Sequence, residues 1–167
     1  MSKPESLLDL YVGELKDLWS ANDQMARALK KMAPKASHED LRQLLEEAPD
    51  GIAEHTALLK ALIENQDEKV SKEHCKGMEG LVAEATKHTE DKAPAEGPLM
   101  DVVIVTQFQR MTHYGLAGFG TAAALAAALG LEDDHEQLTD AVAEIYDTDE
   151  MLSEIAEDAV NEDAADA

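Results

Sequence analysis

Four stretches of this 167-residue chain carry apolar seams at spacings of three and four, and a small or polar residue breaks each seam near its middle. The first reads Leu8, Tyr11, Leu15, Leu18, then Asn22, then Met25, Leu29 and Met32. Such spacing keeps side chains on one helical face, so Asn22 points where its apolar neighbours point, into a core. The other breaks fall at Gly51, Ile52 and His55, at Thr112 and Gly115, and where Ile145 is followed by Asp149. Four helices with such positions at mid-height suggest a four-helix bundle whose centre once held, or still holds, a metal site.

Alanine, leucine and glutamate dominate, prolines are few and no alternating strand pattern appears, so the chain reads all-α. The first helix starts near Pro4, with Ser2 or Ser6 as its cap, and Pro34 stops it after Met32. The second opens at Ser37, whose hydroxyl is placed to cap it with Asp40 at the third helical position, and runs to Glu64. Its inward line is Leu41, Leu45, Ala48, Ile52, His55, Leu59 and Leu62, and Pro49 predicts a kink or an interruption. A shorter helix, His74–His88, precedes a loop at Glu90–Pro98 that carries charge, Pro and Gly.

The third long helix covers Leu99–Leu129 through Val105, Phe108, Thr112, Gly115, Phe119 and Ala122, and Gly130 caps its end. Its second half, Gly115–Ala128, is almost entirely Gly and Ala, which suits close helix packing or a dimer contact. The fourth runs Asp133–Val160 through Leu138, Val142, Ile145, Asp149, Leu152 and Ala156. The chain is therefore expected to be one domain, residues 1–162, with an acidic frayed tail at 163–167. Only the second connection, with the short helix inside it, can span the bundle. One long crossover in a four-helix bundle is the ferritin-like topology.

The charge is extreme: 36 acidic against 14 basic residues leave a net −22 with neutral His. Such a surface repels nucleic acid and anionic lipid, so neither is an expected partner, and its simplest role is solubility. Cys75 is the only cysteine, which excludes an intrachain disulfide and fits a reducing, cytoplasmic location. Met1–Ser6 lacks the basic and apolar regions of a signal peptide. The most apolar run, Met100–Val105, is too short to cross a bilayer before Gln107, Gln109 and Arg110 interrupt it.

Other chemistry finds little support. No nucleophile-elbow motif occurs, and His74 and Cys75, adjacent in sequence, point to different faces of a helix. Gly115, Gly118 and Gly120 lie inside a helix and read as packing sites rather than a phosphate loop. Trp19, Tyr114, Phe119 and the seven scattered methionines read as core.

Several segments carry a family likeness. They are Leu10-Tyr11-Val12, Glu14-Leu15 and Asp17-Leu18-Trp19-Ser20-Ala21 on the first helix, then Ala28 to Ala33. Cys75 followed by Lys76-Gly77-Met78-Glu79-Gly80-Leu81-Val82-Ala83-Glu84-Ala85 is the most specific, because no generic amphipathic helix needs it. His113-Tyr114, Ala117, Gly120-Thr121, Thr148-Asp149 and Leu152 also fit. Over nearly its whole length the chain resembles the YciF-like family, small bacterial ferritin-like proteins associated with stress responses.

The resemblance implies a bundle with a dimetal centre, held by carboxylates from all four helices. Position by position the carry-over fails. The family's helix-one glutamate falls on Asn22, the helix-two pair on Asp50 and Gly51, the helix-three pair on Thr112 and Gly115, and the helix-four pair on Glu144 and Ile145. His55, His113 and Asp149 persist near that level, with Asp50 and Glu144 at its margins. One aspartate cannot offset two metal ions. Two readings follow. The first is a non-enzymatic, homodimeric, stress-associated structural or interaction protein with a degenerate dimetal site, no resident metal and no cofactor. The alternative is an iron-binding protein with oxidase or peroxidase activity at a remodelled site, using His55, His113, Asp149, Asp50 and Glu144.

Overall fold

The computed structural model describes residues 3–165, and among them no strand forms. The helices in order are α1 (Leu7–Met32), α2 (Glu39–Asn65), α3 (Lys76–Thr86), α4 (Pro98–Leu129), α5 (Glu132–Ile155) and a last short α6 (Asn161–Ala165). A single 3₁₀ turn follows α1, and π turns follow α3 and α5. Helices α1 and α2 form one antiparallel hairpin, joined at mid-height where the Asn22 amide donates to Thr56 at 3.3 Å. Helices α4 and α5 form the other, with Gln109 donating to Ser153 at 3.0 Å. Tyr114 meets Asp17 toward one end of α1, and Asp101 meets Ser37 just beyond the other, so α4 runs antiparallel to α1 and parallel to α2. Consecutive long helices that run parallel need a connection that returns along the bundle. The chain is an all-α four-helix bundle with one long crossover, and α3 lies within that crossover.

Sequence and caps explain the element ends. Ser6 accepts from the Asp9 amide at 3.0 Å and Asp9 accepts from the Ser6 amide at 3.0 Å, a reciprocal box that starts α1. Of the two expected caps Ser6 is therefore the one used, while Ser2 lies outside the described residues. Gly130 adopts φ +73°, the left-handed turn that ends α4 as expected.

Three expectations change. Leu8 is 37% exposed, because α1 begins a turn before the core, which starts at fully buried Tyr11. Ser37 does not cap α2 with its hydroxyl; His38 is the cap residue, and Asp101 of α4 reaches across instead. Buried Asp101 accepts from the Ser37 amide at 2.7 Å, from the His38 amide at 3.1 Å and from the Ser37 hydroxyl. Pro49 is buried inside an α2 that runs from Glu39 to Asn65, so of the kink or interruption expected there the interruption does not occur. The bundle neighbours around the ring hold the helix through the one missing amide bond. Beyond α5, the short α6 (Asn161–Ala165) takes in the first residues of the acidic tail expected at 163–167, and Asp166 and Ala167 lie outside the described residues.

The core is divided. One apolar cluster gathers Leu29, Leu41, Phe108 and Leu152; the other gathers Leu15, Leu59, Phe119 and Leu138. The division falls between Leu18 and Met25 on α1, at the level of Asn22, so the breaks in the seams are breaks in the core. Gly118 lies within the second region, where a Cβ would collide with Leu18. Among the described residues, no helix is long and apolar enough to cross a membrane.

Candidate functional site at mid-height of the bundle

Where the two clusters part, a pocket of ≈ 220 Å³ opens. Six of the seven positions on which the resemblance places ligands line it, Asn22, Gly51, Thr112, Gly115, Glu144 and Ile145, while Asp50 does not. Gly51 and Gly115 contribute no side chain, and a Cβ built on Gly115 would meet only the Ile145 Cδ1, at 4.0 Å. That missing volume makes the space. Met25, Leu44, Ala48, Ile52 and Phe108 give it apolar walls. Its acids, Glu47 and Glu144, are exposed, so they stand at the rim rather than in the interior.

The structure separates the sequence-derived candidates. His55 Nε2 lies 2.7 Å from Glu144 Oε2, and its ring leans on Phe119 with centroids 5.5 Å apart. This pair borders the pocket. His113 Nε2 lies 3.0 Å from Asp149 Oδ2 on the seam between α4 and α5, and neither residue lines the pocket. Asp149 Oδ1 is buried without a partner. Asp50 is exposed and meets none of the others. Two His–carboxylate pairs on different faces thus replace one converging set.

The donor set at the old ligand level decides whether a dimetal centre fits. Asn22 offers an amide already donating to Thr56, Thr112 a neutral hydroxyl, Ile145 a hydrocarbon, and the two glycines nothing. Bridging two hard cations takes several inward carboxylates, and the carboxylates that line this pocket, Glu47 and Glu144, are both exposed at its rim. Among the described residues no three His, Cys, Asp or Glu side chains come together in a group suited to a metal ion. The residues present do not fit the centre that the resemblance implies.

Buried carboxylates instead occupy the two ends of the bundle, where the sequence reading did not place them. Asp101 ties α4 to the start of α2, and Asp134 accepts from Tyr11 Oη at 2.9 Å and Gln66 Nε2 at 3.1 Å. Burial, with the Asp134 carboxylate beside it, pushes the Tyr11 phenol well above its ordinary range. A signal existed in sequence: Asp101 interrupts an otherwise apolar helix start, Met100–Val105, as a surface residue would not need to do.

Fold and site together define an all-α, single-crossover bundle protein with a mostly apolar pocket at mid-height whose acids, Glu47 and Glu144, stand at the rim. Residues 6–165 match the family described as "Domain of unknown function (DUF892)", and the chain belongs to that family. It is 29% identical to Protein YciF of Escherichia coli strain K12 over 161 residues, covering 96% of each chain. The crystal structure of the E. coli stress protein YciF superposes with a TM-score of 0.88 at 28% identity, covering 95% of this chain and 99% of that one. YcfI from Rhodopseudomonas palustris, provisionally described as a structural protein, gives a TM-score of 0.85 at 28% identity, covering 92% and 97%. The YciF-like resemblance read from the sequence is therefore correct.

Proposed function

We propose that this chain is a stress-associated, ferritin-like bundle protein of the cytoplasm that serves a structural or interaction role and has lost the dimetal ligands of its family. The observation that carries this reading is the ring of Asn22, Gly51, Thr112, Gly115 and Ile145 around an apolar pocket at the ligand level. The description of one relative as a stress protein and of another as structural agrees with it. Protein purified from iron-supplemented cells is expected to carry less than about one equivalent of metal and to keep its melting temperature in chelator. A tightly held pair of irons, with peroxide consumption lost on substituting His55 and Asp149 together, would establish the oxidase or peroxidase reading instead.

Homodimerisation belongs to the same proposal. Gly118 is committed to Leu18 within the chain, so the small-residue face left for a second copy is Ala117, Thr121, Ala124 and Ala128, all exposed. Sedimentation of Ala124→Arg tests it: the variant should be monomeric, and unchanged association would remove this face from consideration.

A further inference from the structure

The mid-bundle pocket has one property that a merely vacated site does not require. Thr112 is 1% exposed, lines the pocket, and its hydroxyl has no hydrogen-bond partner. Five other helical threonines, Thr56, Thr89, Thr106, Thr139 and Thr148, donate back to the carbonyl four residues earlier at 2.8–3.2 Å. Thr112 does not. A buried hydroxyl without a partner is costly, and the polar groups of a native core are nearly always satisfied, so something is expected to meet it.

We propose that this pocket binds a small, uncharged, mostly apolar molecule carrying one hydrogen-bonding group, which pairs with the Thr112 hydroxyl once that buried side chain turns toward it. Size sets the first limit. A closed apolar cavity of about 150 Å³ admits benzene, and this pocket of ≈ 220 Å³ is open to solvent at Gly51 and Glu144, so a molecule of about seven to ten non-hydrogen atoms fits with one edge at the mouth. Lining chemistry sets the second: Met25, Leu44, Ile52, Phe108 and Ile145 favour hydrocarbon or an aromatic ring. Charge sets the third. Glu47 and Glu144 stand at the rim, in a chain of net charge −22, and oppose an anion. A hydroxyl both donates and accepts, so an alcohol, a phenol or a carbonyl satisfies Thr112 equally.

The proposal goes beyond the structural role and stands independently of it, since it turns on ligand titration and that role turns on metal content. The test uses the full chain with phenol, toluene and benzoate as probes, followed by NMR shifts of the Ile145 and Thr112 methyl groups. Phenol should bind saturably, toluene more weakly, and benzoate at least about tenfold more weakly than phenol. Thr112→Val should weaken phenol about tenfold and leave toluene within about twofold, because only phenol uses the hydroxyl. Gly115→Leu should abolish binding of both by filling the space beside Ile145. Thr112→Val is nearly isosteric and keeps the test decisive should Gly115→Leu fail to fold. No saturable phenol shift, equal binding of benzoate, or undiminished phenol binding in Thr112→Val would each overturn the assignment.

Discussion

The Tyr114 hydroxyl lies 3.0 Å from Cys75 Sγ and donates to Asp17 Oδ2 at 3.0 Å, so one phenol joins α4, the crossover and α1. Around that joint the crossover is fastened further. Ser20 accepts from the Cys75 amide at 3.0 Å, Gln24 donates to the Cys75 carbonyl at 2.9 Å, and Cys75 Sγ caps α3 by accepting from the Met78 amide at 3.3 Å. The segment that begins at Cys75 therefore pins the returning chain to the bundle. Cys75 is fully buried, and that burial raises its thiol above the ordinary value, which suits a packing and capping role rather than a nucleophile.

Gly77 is expected to tolerate no side chain. A Cβ there would lie 2.6 Å from Tyr114 Cε2, and the ring is held in place by its hydroxyl contacts. Gly77→Ala should cost about 1–3 kcal/mol in chemical denaturation. Stability equal to the parent chain would mean that the Tyr114 ring yields freely.

Asp101 should matter more than its position on an apolar helix start suggests. Asp101→Ala would strip the Ser37 and His38 amides and the Ser37 hydroxyl of their shared acceptor at once. A loss of about 1–3 kcal/mol is expected, since buried donors are left without an acceptor. Thermal melts and amide exchange at the start of α2 would both report it.

Glu14 should make stability fall as pH rises. Burial, with Asp17 adding a like charge nearby, lifts the Glu14 carboxyl above its ordinary 4.5. The folded chain then binds more protons than the unfolded chain above that value, so the free energy of unfolding decreases as pH rises from there through the raised folded-state pKa. Glu14→Gln should therefore melt higher than the parent chain at pH 7, with the difference closing by about pH 4. A gap that persists at acid pH would assign the effect to packing against Gly118 instead.

Much of the bundle was legible because its cause is local and periodic. The seam through Tyr11, Leu15, Leu18, Met25, Leu29 and Met32 is buried as its spacing requires, and Ser6 and Gly130 end their helices as their chemistry predicts. The capping of α2 was not legible, since a serine beside a helix start looks the same whether it caps or yields to a carboxylate 64 positions away. The same limit held at the candidate residues. His55 and His113 both sit near mid-height, yet one turns to Glu144 and the other to Asp149, a choice made by helix rotation that spacing alone does not encode.

By itself, then, the sequence determined four helices, the face that each buries, and the level at which every seam is broken. Those properties follow from the 3.6-residue period and from side-chain type, which are fixed within each segment. Only the tertiary structure decided that the breaks coincide in one apolar pocket, that the buried acids stand at the two ends of the bundle, and that Thr112 is left without a partner. Each of these depends on distances between helices far apart in the chain, and a hydrogen bond or a cavity exists only once those distances are set.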